Sequence, residues 1–414
     1  VSLGTGATQT GFGRTGTVDW DTTPKTATFT AVSGDGFFAD TTGSAFNMNL
    51  PAGSAGAIVS VADYAGTWNS NNLTVVPNGT DKIGGTNANA TLDTQGQSVT
   101  FIFVDSTKGW INTMDSTSNV RGLSFLTATG GTITTSGNCK IHTFTGPGNF
   151  IVCSVGSPSI NNQVSYLVVA GGGGGGGSYS GGGGGGGFRE FKGPQTPYTA
   201  SPLDGSTPIT VTSTTFPIAV GAAGAGGPNP GANIGSTGSV STFSTITSAG
   251  GGGGAGETDA GLPGGSGGGG SYPTQAAGDG NTPPTSPPQG QPGGTGGTGT
   301  PGGHYVSGGG GGATEAGVNG NPAPTPSGRG GAGATTSISA SPTAYSGGGG
   351  ASGGNSPTTG GGASPCGTGG AGANNPGTGA VGTTNRGGGG GAGTNGSGGG
   401  NGGSGIVIIR YKFQ

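Results

Sequence analysis

The sequence runs to 414 residues, of which 109 are glycine and 27 are proline, so about a third of the chain consists of residues that interrupt ordinary helices and strands. Charged residues make up 7% and the net charge is −3, which leaves no basic stripe for nucleic acid and no polybasic segment for an anionic membrane surface. No apolar run approaches the roughly 18 residues that cross a bilayer, and the chain opens at Val1 without an initiator methionine or signal-peptide pattern, reading as a soluble, processed or partial product.

Residues 1–122 read as an all-β module. Short apolar or alternating runs at Thr26–Val32, Phe46–Leu50, Ala57–Ala62, Leu73–Val76 and Ser98–Val104 are bounded by Gly, Pro, Asn and Asp. Trp68, Trp110, Phe29, Phe101 and Phe103 supply the rings for a small core. Threonine is abundant and helical periodicity is absent, so almost no α-helix is expected.

Residues 123–170 form a second β unit. Lys140–Thr145 and Phe150–Val155 flank Gly146-Pro147-Gly148-Asn149, which predicts a hairpin. Cys139 and Cys153 lie symmetrically about that turn with the same strand parity, so a disulfide between them is within reach. Tyr166-Leu167-Val168-Val169 is a continuous apolar strand that runs into Gly171–Gly177, and Ile406-Val407-Ile408-Ile409-Arg410-Tyr411 mirrors it at the other end. Unbroken apolar strands of this kind are buried on both faces, and the two are expected in one sheet of a jelly-roll-like sandwich. The sandwich is closed by 406–414, with the glycine-rich segment 171–405 looped out between and further strands inserted at 209–247.

Within the loop, glycine clusters occur at 171–177, 181–187, 250–254, 267–270, 308–312, 347–350 and 387–391, the last three starting about 40 residues apart. Two readings compete: a flexible linker, or packed polyglycine II helices. A polyproline II helix has about three residues per turn and no internal hydrogen bonds, so its N–H and C=O groups point outward and need partners once buried. Helices without side chains can approach closely enough to bond one another, and the bracketing strands would anchor their ends. A collagen triple helix is excluded because glycine does not recur strictly at every third position. Segments such as 281–292 and 319–326 then become turns at the ends of the array.

Chemistry-bearing constellations are sparse. His142 reads as a sheet residue, and His304 lies in a glycine loop; neither has a nucleophile or carboxylate at motif spacing. The Asp residues near the start are turn-placed, no phosphate-binding Gly-Lys-Ser/Thr exists, and no metal or cofactor is expected. An enzyme is therefore not expected. Aromatic rings on glycine loops suit binding better, since rings stack on sugar faces or anchor protein contacts. The candidates are Tyr179, Phe188, Phe191, Tyr198, Tyr272, His304, Tyr305 and Tyr345, against the alternative that each ring packs beneath the lattice.

Several phrases carry a family resemblance. Val18-Asp19-Trp20, Asn72-Leu73-Thr74-Val75 with Pro77-Asn78-Gly79-Thr80-Asp81-Lys82-Ile83, and Val104-Asp105-Ser106-Thr107-Lys108-Gly109-Trp110 resemble a fibre module of marine tailed-phage structural proteins. Lys140-Ile141-His142-Thr143-Phe144, Tyr166–Gly177 and Gly405–Tyr411 resemble glycine-rich tail-fibre proteins of cyanophages. The lattice is similar to the distal adhesin of some T-even-type phages and, in architecture alone, to the glycine-rich region of anaplastic lymphoma kinase receptors. The resemblance implies a virion tail-fibre or adhesin subunit, extracellular when mature and homotrimeric. Its implied partners are other virion tail proteins and a host-surface glycan or outer-membrane protein. Two alternatives stay open: a purely structural virion connector, and a secreted matrix or ice-binding polyglycine II protein.

Overall fold

The computed structural model describes residues 18–116, 125–156, 159–229, 233–298, 305–321, 326–354 and 359–414. The chain divides into two compact units, 1–122 and 123–414. Among the described residues the one helical element is a single 3-10 turn at Ser159–Asn162, and the fold is all-β.

The first unit holds β1 (Asp19–Lys25), β2 (Phe29–Thr30), β3 (Asp35–Ala39), β4 (Phe46–Asn49), β5 (Ile58–Asp63), β6 (Leu73–Val76), β7 (Ala90–Leu92), β8 (Ser98–Asp105) and β9 (Gly109–Ser116). From β1 to β6 successive strands alternate between two sheets. The strands β1, β3 and β5 pair in parallel, as do β2, β4 and β6, which makes three coils of a two-sided β-solenoid. Antiparallel β8 and β9 extend the first sheet, and β7 extends the second. Phe37, Val59, Val61, Val99, Phe101 and Phe103 project inward with the alternation of their strands and pack with fully buried Trp68 and Trp110. Each such side chain contributes about 1.5–3 kcal/mol by leaving water. Buried Asp63 is satisfied by accepting from the N–H groups of Gly66, Thr67 and Gly96, so one carboxylate ties two turns to the end of β5.

The second unit holds β10 (Thr127–Thr129), β11 (Thr132–Ser136), β12 (Cys139–Phe144), β13 (Gly148–Ser154), β14 (Gln163–Val169), β15 (Phe188–Phe191), β16 (Ile209–Thr210), β17 (Thr215–Ala219), β18 (Ser241–Phe243), β19 (Ile246–Ser248), β20 (Ala334–Thr336), β21 (Thr343–Tyr345) and β22 (Ile406–Lys412). One antiparallel sheet has the order β10-β13-β17-β18-β19 and the other β11-β12-β22-β14-β15, with β16 beside β14. The strands β14 and β22 are direct antiparallel neighbours at the centre, Leu167 opposite Ile408. Both are buried on both faces: Tyr166, Val168, Val407 and Ile409 pack with Phe150 and Phe243 in one cluster, while Leu167, Val169, Ile406 and Ile408 pack with Phe188, Ile338 and Tyr345 in another.

The expected hairpin at 146–149 is corrected. The strands β12 and β13 lie in different sheets, the first between β11 and β22, the second between β10 and β17. Each thereby gains two hydrogen-bonded neighbours while Phe144 and Phe150 share one core, which a hairpin would not provide. The disulfide expectation falls with it: Cys139 is buried, Cys153 is exposed, and both are free thiols.

The glycine clusters form a lattice with a three-residue repeat. In the run 171–177, Gly171, Gly174 and Gly177 donate to the carbonyls of Ser239, Ser236 and Asn233. Gly172 and Gly175 donate to Gly403 and Gly400, and Gly173 and Gly176 to Gly184 and Gly181. The carbonyls accept in the same rhythm: Gly171 and Gly174 from Gly251 and Gly254, Gly172 and Gly175 from Gly224 and Gly227, Gly173 and Gly176 from Gly390 and Gly393. One three-fold helix is thus bonded to six neighbours. The run 181–187 is likewise surrounded by segments near 170–176, 249–255, 266–269, 308–311, 346–349 and 387–390.

Glycine is needed here for space rather than for unusual backbone angles. None of Gly171–Gly176 or Gly181–Gly187 has positive φ, yet a β-carbon on Gly183 would overlap the carbonyl of Gly173, and one on Gly173 the carbonyl of Gly252. Outer helices relax the rule on the face turned to water: in 315–320, Gly317 and Gly320 are buried while Ala316 and Asn319 are exposed.

Candidate functional site

The direction of the glycine helices defines two ends of the second unit. The run 171–177 leaves the sandwich at Val169 and 181–187 returns to it at Phe188, so the turn Ser178–Ser180 lies at the end farthest from the sheets. Two consecutive non-glycine residues in that turn have left-handed backbone, Ser178 at φ 64° and Tyr179 at φ 45°. Such a pair is costly and persists only when its surroundings hold it.

Several loops do the holding. Ser180 N–H donates to Ser352 Oγ at 2.8 Å, and Ser352 N–H returns to the Ser180 carbonyl at 3.1 Å. Ser307 Oγ donates to the Tyr179 carbonyl at 3.0 Å. Nearby, Ser271 Oγ accepts from Thr258 N–H and donates to the Asp259 carbonyl. Serines terminate the glycine runs here because a short hydroxyl side chain reaches the backbone groups left over when the lattice stops.

Three tyrosines meet on this scaffold. Tyr179 and Tyr305 have ring centroids 4.4 Å apart, and Tyr272 stands edge-on to Tyr305 at 4.6 Å. Tyr179 is mostly buried beneath the other two, which are half-buried. Burial first, then neighbouring Tyr305 and Glu257, pushes the Tyr179 phenol above its ordinary range, so that hydroxyl keeps its proton through physiological pH. The arrangement offers ring faces and phenolic hydroxyls on a rigid support, a set suited to stacking and hydrogen bonding.

The other sequence candidates lie elsewhere. His304 falls outside the described residues. Tyr345 is corrected to a core residue, fully buried between sandwich and lattice with the Arg386 guanidinium 5.0 Å from its ring. Tyr198 is also packed beside the sandwich, between Lys192 and Arg410 at 5.6 and 5.4 Å. Phe188 is buried, and the Phe191 ring lies tilted against Tyr166, 6.1 Å between centroids, across the β14–β15 pair. Phe188 and Phe191 lie in β15, Tyr345 ends β21 and Tyr198 follows β15, so the apolar core claims these rings. His142 is a sheet residue, fully buried, with Nδ1 2.7 Å from the Gly130 carbonyl and the ring stacked on Tyr411. Among the described residues no three His, Cys, Asp or Glu side chains gather in a metal-holding group, and no helix is long and apolar enough to cross a membrane.

A family model described as a glycine-rich domain matches residues 144–412, the span from the end of β12 through the array to β22. The chain belongs to the glycine-rich domain family. Comparison with curated proteins gave no significant match. The glycine-rich domain therefore comprises the lattice, the central strand pair that anchors it and the tyrosine tip. These tyrosines stand far apart in sequence, and nothing local groups them; the shared signal is their position where a glycine run ends, seen in Gly177-Ser178-Tyr179 and Ser271-Tyr272.

Proposed function

We propose that the protein is a non-enzymatic attachment subunit, a tail-fibre or adhesin component of a tailed-phage virion, with the glycine-rich domain as a stiff body that presents its tyrosine tip to a host surface. The observation that carries the reading is the convergence of Tyr179, Tyr272 and Tyr305 at the end of the lattice remote from the sandwich. A lattice bonded on six sides costs little further ordering when a ligand binds its tip, which favours affinity. The sequence resemblance supports the phage assignment, and homotrimer assembly and tail-protein partners are part of the same proposal. In this reading the first unit attaches or oligomerises the chain.

The test is adsorption of labelled full-length protein to a panel of bacterial cells, comparing the native chain with Tyr272→Ala/Tyr305→Ala. Saturable binding reduced at least tenfold by the double variant supports the adhesin reading. Saturable binding untouched by the variant would place the attachment surface away from the tip; binding seen with no cells, while particles lacking the protein fail to assemble, supports the structural-connector reading.

A further inference from the structure

The first unit carries a second concave surface unrelated to the tyrosine tip. Its floor is the outer face of the five-stranded sheet. Residue partners across that sheet fall in one row, Trp20, Gly36, Ser60, Thr100 and Met114 on β1, β3, β5, β8 and β9. The row spans four interstrand steps, about 19 Å at ~4.8 Å each.

Glycine at position 36 has a specific consequence. A β-carbon there would collide at 2.7 Å with the Trp20 ring, so the indole lies flat against the sheet only because Gly36 has no side chain. Phe38 sits 4.9 Å from Trp20 between ring centroids, and Tyr64 stands 6.4 Å from Phe38. Trp20 is 41% exposed and Tyr64 57% exposed, whereas the other two tryptophans are fully buried. Opposite this aromatic wall, β9 bulges between the pairs Thr100–Met114 and Phe101–Asn112, and Met114 is 59% exposed. Between Trp20 on one side and Thr113–Ser116 on the other is a cleft of about 540 Å³; Phe38 and Tyr64 back the indole from outside it.

The lining chemistry selects the occupant. Ser60, Ser98, Thr100, Thr113 and Ser116 place five hydroxyls around the cleft, and Asp115 is its charged lining residue. Ser60 Oγ and Thr100 Oγ1 are 2.7 Å apart on the floor; one hydroxyl donates to the other, which leaves the second proton for a ligand. Gln97 Nε2 donates to Asp115 Oδ1 at 2.9 Å and fixes that carboxylate as an acceptor. Among the described residues no lysine or arginine lines the cleft, so their lining offers sulfated, phosphorylated and nucleic-acid ligands no countercharge. Protein partners prefer sites depleted in serine and threonine. A flat indole beside hydroxyls and one carboxylate matches a ligand with apolar C–H faces and a rim of hydroxyl groups.

We propose that this cleft is a binding site for a neutral oligosaccharide, with Trp20, backed by Phe38, as the stacking platform and Ser60, Thr100 and Asp115 as polar contacts. It is independent of the tip, and its test separates the two. Full-length protein is run through native gels containing dextran, laminarin, hydroxyethyl cellulose or heparin, and its intrinsic fluorescence is quenched with acrylamide with and without each polymer. Trp20 is the exposed indole, so shielding from acrylamide reports directly on the cleft.

The expected result is retardation and shielding by at least one neutral polysaccharide and none by heparin. Trp20→Ala weakens retardation about tenfold, the equivalent of roughly one lost ring stack. Trp20→Phe restores most of it, which excludes unfolding as the cause, and Tyr305→Ala leaves it unchanged. Absence of shielding by every neutral polymer overturns the proposal. So does shielding by heparin alone, or concentration-dependent shielding without polymer accompanied by a rise in scattering mass, which would put a second copy of the chain in the cleft.

Discussion

The two units build interiors by opposite means. In the first, Trp68, Trp110, Phe101 and Phe103 fill the space between sheets, and the backbone is satisfied within those sheets. In the array of the second, the backbone is itself the interior, and Gly173, Gly183 and Gly310 bond across helices where side chains would otherwise stand. The first interior fails when carbon atoms are removed and the second when they are added. Neither hydrogen bonds nor apolar burial is privileged as a core; what matters is that every buried group finds a partner.

The largest expected effect comes from adding carbon to the centre of the array. Gly183→Val drives a branched side chain into the Gly173 carbonyl while six neighbours prevent the backbone from moving aside, and the loss should exceed about 4 kcal/mol. The optical probes separate the units: all three tryptophans lie in the first, and every tyrosine except Tyr64 lies in the second. Tyrosine near-ultraviolet dichroism should show the transition collapse while tryptophan emission keeps its midpoint. The mirror experiment, Trp110→Ala, removes carbon from the first unit, should cost about 3–5 kcal/mol, and should leave the tyrosine signal intact.

A finer contrast lies within one outer helix. Val381 points to water at 67% exposure, whereas a β-carbon on adjacent Gly382 would meet the Gly388 carbonyl. Val381→Ser should stay within about 0.5 kcal/mol of the native chain, and Gly382→Ala should cost about 1–3 kcal/mol, both read from tyrosine-monitored denaturant unfolding.

The polar groups at the sandwich–array boundary supply a pH-dependent comparison. Burial is the main cause that raises the Glu190 carboxyl above its ordinary range, against hydrogen bonds from Ser201 and Thr336 that favour the charged form. A raised native pKa means the native state holds the proton more tightly. The stabilisation is therefore complete below the unfolded value of about 4.3 and is lost as pH rises through the native one. Glu190→Gln should flatten that fall in the second unit, measured as unfolding midpoints at pH 4 and pH 7, and leave the tryptophan-reported midpoint of the first unit unchanged at each pH.

The sequence spoke most clearly where one pattern had one structural solution. Tyr166–Val169 and Ile406–Tyr411 are apolar without alternation, which demands cover on both faces, and they stand as the central pair. Glycine runs flanked by such strands pointed to packing because only backbone remains to be satisfied. Less was legible where pairing partners are distant. Nothing local in Asp19–Lys25 or Asp35–Ala39 announces parallel coils, since parallel pairing depends on chain that returns a full turn later. The arch at 145–147 reads like a hairpin because Gly-Pro-Gly-Asn reports a change of direction and not the sheet that follows. Tyr345, beside Gly347–Gly350, fits both a binding loop and packing beneath the lattice on sequence alone; the lattice closes over it. Trp20 stood between two aspartates in a polar strand, and that mismatch was the available sign of the cleft.

Amide hydrogen exchange on the glycine-selectively labelled intact chain tests directly whether the array is a bonded lattice. The amides of Gly173–Gly175 and Gly183–Gly185 should exchange as slowly as those of strands β14 and β22, because each donates to a carbonyl of a neighbouring helix. Exchange at the rate of an unstructured chain, with β14 and β22 still protected, would contradict it and return the glycine segments to the status of flexible linkers.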